Sequence, residues 1–93
     1  MMYNRHMNYI HEKSNVEGDV QLGDGVSIWP FASVRGDEGP IIIGDNTSVQ
    51  DNVTIHGSIT IGKNVTIGHG AVVHGAKVGD NVIIGMNSTI LEG

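Results

Sequence analysis

The chain has no cysteine, two prolines and four aromatic residues in 93 positions. Without cysteine no disulfide can staple a chain this short, so stability has to come from a bound metal or from oligomerisation. With one Trp, one Phe and two Tyr, a wide core of packed rings is excluded. Positive charge is scarce as well. Five Lys plus Arg stand against ten Asp plus Glu, a formal charge of −5, and no basic patch offers itself to nucleic acid. No apolar run approaches the roughly 20 residues that span a bilayer. The N-terminal stretch MMYNRHMNYIHEKS lacks the apolar segment of a secretory signal. Together these absences predict a cytoplasmic protein with neither nucleic acid nor membrane as a partner.

What is abundant is glycine, 14 residues, and β-branched aliphatics set at a fixed interval. One register of six runs Ile10, Val16, Leu22, Ile28, Val34. A second runs Ile43, Val49, Ile55, Ile61, Ile67, Val73, and a third Val78, Ile84, Ile90. A period of six is neither the 3.6 of an α-helix nor the two of a simple strand. It predicts an all-β solenoid of hexapeptide repeats, in which the aliphatic residue points inward and a corner follows. Corner conformations come from the Gly, Asp and Asn that trail the aliphatics. Three hexapeptides close one triangular coil of about 18 residues, and coils stack at about 4.8 Å. The narrow interior suits stacked Val and Ile. One domain is expected over residues 14–93, with 1–13 as an N-terminal segment. A small β-sandwich is the alternative fold. Spacing does not give the hand, and ordinary crossover rules would favour right-handed.

The register breaks twice. From Val34 to Ile43 the step is nine, an insertion of three around Gly36-Asp37-Glu38-Gly39-Pro40; from Val73 to Val78 it is five, a deletion of one. Breaks of this kind fall at corners or bulges and often carry function.

The five histidines divide by register. His6 and His11 lie in the N-terminal segment and read as surface residues. His56 and His74 are 18 apart, one coil, and each directly follows an inward aliphatic residue. They are expected to stack and point the same way, close enough to converge on one ion at about 2.0–2.1 Å each. His69 follows His56 by 13 positions and falls at a different part of the triangle. If it completes the site, it does so from a neighbouring subunit of a cyclic trimer. The alternative is a ladder of half-exposed histidines that binds nothing.

The stretches Val34-Arg35-Gly36-Asp37, Ser48-Val49-Gln50-Asp51, His56, Ile67-Gly68-His69-Gly70-Ala71-Val72-Val73-His74-Gly75 and Ile84-Gly85-Met86 together resemble the γ-class carbonic anhydrases and their ferripyochelin-binding-like relatives. The resemblance covers residues 14 to 93. It implies a left-handed parallel β-helix and a homotrimer, with Zn, Fe or Co held by His56, His69 and His74 between subunits. It further implies reversible hydration of CO2 to bicarbonate by a metal-bound hydroxide. By position, Arg35 and Asp51 link neighbouring subunits, Gln50 orients water or substrate, and Asp37 joins the same polar network. The sequence departs from the family at three places. Ser48 stands where Asn is common. Only Gly57-Ser58-Ile59-Thr60 separates His56 from Ile61, where active members carry a long acidic loop, so Glu38 is the candidate to take over proton transfer. The sequence also stops mid-repeat at Leu91-Glu92-Gly93, before the place of the family's C-terminal helix, as expected of either a naturally short chain or a truncated form. These departures keep open a metal-binding trimer that serves as a structural or assembly protein without significant activity. A hexapeptide acyltransferase, which shares the repeat, is a third reading.

Overall fold

The computed structural model describes residues 7–91, together with the backbone of the strand Met2–Tyr3. His6, Glu92 and Gly93 lie outside the described residues. All regular structure among those described is β-strand, arranged as stacked parallel coils. Among the described residues no helix is long and apolar enough to cross a membrane.

The coils form a three-faced solenoid. The first face stacks β2 (Tyr9–Ile10), β4 (Ser27–Ile28), β6 (Ser48–Val49), β9 (Thr66–Ile67) and β12 (Ile83–Ile84), all parallel. β1 (Met2–Tyr3) adds to β2 antiparallel. The second face uses the N-terminal parts of β3 (Asn15–Leu22) and β5 (Ser33–Ile43), then β7 (Thr54–His56), β10 (Val72–His74) and β13 (Thr89–Ile90). The third face takes the C-terminal ends of β3 and β5, then β8 (Ile59–Ile61) and β11 (Lys77–Val78). The parallel ladder thus reaches back to Tyr9–Ile10, into the segment N-terminal of residue 14.

The partners in adjacent coils carry the arithmetic of the sequence. Ile10 pairs with Ile28 and Val49 with Ile67, one regular coil apart. Ile28 pairs with Val49 across the coil lengthened by the insertion, and Ile67 with Ile84 across the coil shortened by the deletion. The core is a column of Val, Ile and Ala, including Ile28, Val34, Ile43, Val49, Ile55, Ile61, Ile67 and Val73. Among the described residues no aromatic ring enters it; Trp29 and Phe31 face outward.

Two corners turn through the left-handed backbone region in successive coils. Gly25, Asn46, Asn64 and Asn81 hold φ of 71°, 58°, 56° and 61° at one, and Asn52, Gly70 and Asn87 hold 62°, 73° and 59° at the other. Asn tolerates this region because its short polar side chain can bond locally. Phe31 takes the equivalent place in an earlier coil at φ 64°, a conformation a bulky residue adopts at a cost.

One column of the core is mixed. Val26 and Val65 point inward there, and Asn8 and Thr47 take the same place in the neighbouring coils. Both polar residues are buried and both bond the backbone of the coil below in the same way. Asn8 donates to the Gly23 carbonyl at 3.0 Å and accepts from the Val26 N–H at 2.9 Å. The Thr47 hydroxyl donates to the Gly62 carbonyl at 2.8 Å and accepts from the Val65 N–H at 3.2 Å. Thr47→Val keeps the volume that Val occupies in adjacent coils and removes only these bonds. Denaturant unfolding is expected to show a loss of about 1–3 kcal/mol, the cost of leaving buried backbone groups unpaired.

Candidate metal centre

His56 ends β7 and His74 ends β10, and the two are direct partners in the parallel ladder. Each is followed by a glycine at positive φ, Gly57 at 91° and Gly75 at 61°. The chain therefore turns immediately after each histidine, which leaves both rings at the rim of one corner. A Cβ on Gly57 would sit 3.1 Å from the Gly75 nitrogen and 3.6 Å from Cε1 of His74, so the stacked glycines also allow the rings to lie close. Their centroids are 5.4 Å apart with planes at 66°.

The insertion brings acid to this rim. In the ladder the column runs Glu17, Arg35, His56, His74. Gly18 pairs with Gly36, and there the register between β3 and β5 shifts. A Cβ on Gly18 would lie 2.6 Å from the Gly36 carbonyl carbon, so only glycine permits this approach. The chain bulges out beyond it, and Asp37 and Glu38 reach across to the coil of His56. Asp37 Oδ1 is 2.9 Å from His56 Nε2, and Glu38 Oε1 is 3.3 Å from the same nitrogen and 4.0 Å from His74 Nε2. Arg35 donates to Asp37 Oδ2 at 3.0 Å and lies 3.9 Å from Glu17. The Arg35 hydrogen bond, aided by one from His56, holds the Asp37 carboxyl below the usual aspartate range, against a smaller opposing effect of desolvation. In return Asp37 keeps Arg35 more firmly protonated.

Glu38, His56 and His74 present ligand atoms that all lie within 4.8 Å of one another. A tetrahedral ion with arms of 2.0–2.1 Å needs ligand atoms about 3.4 Å apart. Two imidazole nitrogens and a carboxylate oxygen at these separations fit such an ion after small side-chain movements. The two Nε2 atoms face carboxylate oxygens, the environment that a cation would also enter.

His69 is elsewhere. It follows β9 on the corner between the first and second faces, whereas His56 and His74 lie between the second and third. Within one chain it joins no cluster with them among the described residues. Its Nδ1 is 3.6 Å from Asp51 Oδ1. Together with Gln50, Ser48 and Trp29, these residues line an open groove of about 320 Å³. The nine residues singled out from sequence therefore fall into two groups: Arg35, Asp37, Glu38, His56 and His74 on one corner, and Ser48, Gln50, Asp51 and His69 on another. His11 accepts a bond from the Lys13 N–H through Nδ1, as a surface residue closing a local turn. Two participants went unnoticed in sequence. Glu17 precedes Arg35 by one coil, and Trp29 occupies the same corner position, after an inward Ile, that Gln50 occupies after Val49. Coil arithmetic applied to the polar neighbours of inward residues finds Glu17; Trp29 is apolar and emerges only from the corner itself.

Comparison with known proteins follows the same lines. A family model described as "Bacterial transferase hexapeptide (six repeats)" matches residues 40–75 and 58–92, together more than half of the chain. The "Probable carbonic anhydrase" of Methanocaldococcus jannaschii is 49% identical over 79 residues, covering 81% of this chain and 50% of that protein. The "Carnitine operon protein CaiE" of Escherichia coli (strain K12) is 40% identical over 89 residues, covering 91% and 45%. The chain thus spans about half the length of the curated relatives it matches. Among solved structures, a hexapeptide transferase family protein from Anaplasma phagocytophilum superposes with a TM-score of 0.61 at 24% identity, over 92% of this chain and 70% of that one. Serine acetyltransferase isoform 3 from Entamoeba histolytica superposes with 0.65 at 26% identity, over 90% and 32%. With the hexapeptide repeat matched, the parallel solenoid is a left-handed β-helix.

The Arg35–Asp37 pair makes a testable statement on its own. A carboxyl held more acidic when folded than when unfolded adds stability above its unfolded value and loses it as pH falls through its folded value. Carbon-detected NMR is expected to show the Asp37 carboxyl titrating below the ordinary value of about 3.9. Arg35→Ala is expected to move that midpoint upward.

Proposed function

The chain belongs to the hexapeptide-repeat family, and on that footing we propose that it is a carbonic anhydrase-like metalloprotein acting as a homotrimer in the cytoplasm. His56 and His74 of one subunit and His69 of the next would hold a zinc, iron or cobalt ion, and CO2 would be hydrated to bicarbonate there. The observation that carries this reading is the vertical match of the two corners. Asp51 lies one coil above His69, its carbonyl accepting the Gly70 N–H, as His56 lies one coil above His74. A three-fold axis parallel to the solenoid sets residues of equal height on neighbouring chains against each other. One corner would then meet the other at the level where both carry histidine. Such a head-to-tail contact closes into a ring and makes three equivalent sites. Exposed Trp29 and Phe31 on the His69 corner supply apolar surface for that contact. The probable carbonic anhydrase among the relatives supports the choice of substrate.

When bound, the ion supplies Lewis-acid activation of water at neutral pH. The chain's own residues do the rest. Arg35 fixes Asp37 beside His56, and the carboxylate, bonded at the same Nε2 that would take the ion, draws positive charge to that place and holds the ring in direction until an ion displaces it. Glu38, exposed and 3.3 Å from His56 Nε2, stands where a proton leaving the site can be accepted. Gln50, in the groove with His69, offers an amide to hold and orient CO2 or bicarbonate. Arg35 would also reach Asp51 of the adjoining subunit, since each sits at the rim of its own corner.

A second reading, a metal-binding trimer without significant activity, is favoured by the four residues Gly57-Ser58-Ile59-Thr60, which leave no acidic loop after His56. An acyltransferase would require binding of an acyl carrier such as coenzyme A, and saturable binding of it would favour that third reading.

Elemental analysis and a native mass are expected to give three ions per trimer. His74→Ala is expected to lose the ion, and Asp51→Ala to shift the mass toward monomer. CO2 hydration should follow reconstitution with zinc, iron or cobalt; no hydration with any of the three rejects the enzymatic reading and leaves the metal-binding one.

A further inference from the structure

We propose that Glu38 completes an intrachain coordination set with His56 and His74, so that a single chain holds a divalent transition-metal ion before a neighbour's His69 takes the third position. This rests on the interface site proposed above and adds a step to its assembly.

The argument begins with the two acids beside His56. Asp37 is engaged: Arg35 lies 3.0 Å from one of its oxygens, and His56 takes the other. Glu38 is not engaged in that way. Among the described residues its ion pairs are with His56 and His74 alone. Its Oε1 sits between the two Nε2 atoms, 3.3 Å from one and 4.0 Å from the other, and the set spans no more than 4.8 Å. Two imidazoles and one carboxylate form a donor set that first-row divalent ions accept readily.

The position of Glu38 in the chain makes it a replaceable ligand. It sits in the bulged insertion between Gly36 and Gly39, and its side chain is 60% exposed. His56 and His74, by contrast, are fixed in the parallel ladder. An arriving imidazole can displace the carboxylate without disturbing a core residue. The exchange swaps an anionic ligand for a neutral one, which raises the net charge of the ion and its ligands by one and leaves the carboxylate nearby. Two histidines alone would hold the ion weakly, so without Glu38 a free chain could not carry the metal into assembly.

The test is zinc titration against a competing chromophoric chelator, using the full chain as His69→Ala and as His69→Ala/Glu38→Gln, with wild type alongside. Oligomer mass is recorded for each, and circular dichroism before zinc is added confirms that both variants are folded. His69→Ala is expected to bind one zinc per chain at least about 10-fold more weakly than wild type, and Glu38→Gln on that background to weaken it by a further factor of about 10 or more. Infrared difference spectra on zinc addition to His69→Ala should show a carboxylate band shifting, and that shift should be absent in the double variant. Equal affinity in the single and double variants overturns the proposal, as does the same carboxylate shift in both. If His69→Ala binds as tightly as wild type, the interface reading fails instead. The comparison between the two variants then still decides whether Glu38 is a ligand.

Discussion

The stacking of inward Val and Ile side chains along one axis is the contact on which everything else in this molecule depends. Each coil is too small to bury its own apolar residues and does so only against the coils above and below. Burial fixes register, because a slip of one residue would turn every Ile outward. Register in turn fixes which polar residue lies over which. His56 above His74, Glu17 above Arg35 and Asp51 above His69 follow from the core, since each lies within two residues of an inward aliphatic side chain. The site needs no specially shaped scaffold. It uses the edge of a ladder whose spacing hydrophobic burial has already set.

Where that ladder is interrupted, chemistry enters. The three-residue insertion after Val34 cannot be absorbed by the core, so the chain bulges outward, and the close approach of Gly18 and Gly36 determines where it leaves. The residues thrown out are Asp37 and Glu38, the acids that reach His56 and His74. The deletion after Val73 acts on the opposite side of the histidine pair, shortening the path from His74 to Val78. A regular solenoid would carry the histidines but not the acids that face them.

Much of this is legible in the sequence because hexapeptide spacing is rigid. The faces, both register breaks and the His56–His74 pair follow from counting. What counting misses has physical causes. Thr47 and Asn8 stand at inward positions, and nothing in a string of letters says that their side chains replace backbone partners. Phe31 turns a corner at φ 64° where Asn or Gly is the reasonable expectation, because the ladder, with the Phe31 N–H bonded to the Lys13 carbonyl, sets the backbone there and leaves the ring exposed. Trp29 lines a groove by standing one coil above Gln50, a relation visible only once the corners are known. The hand is different in kind. Spacing is the same in a left- and a right-handed coil, so it comes from the matched family.

The division of the histidines between two corners has an energetic consequence for a chain this small. Among the described residues the core is a column of Val, Ile and Ala with no aromatic ring, and the chain has no cysteine for a disulfide, so the core is narrow. If an ion is held between subunits, as proposed, its binding free energy is also association free energy, and metal and trimer stabilise each other by mass action. A strictly split site makes that linkage severe, because at low concentration neither the metal nor the neighbour is held. A carboxylate at Glu38 that can stand in for the missing imidazole relaxes it. On that proposal the chain would acquire its ion in one step and its neighbour in another, and the three-residue bulge that brings acid to the histidine pair would also make the site assemblable.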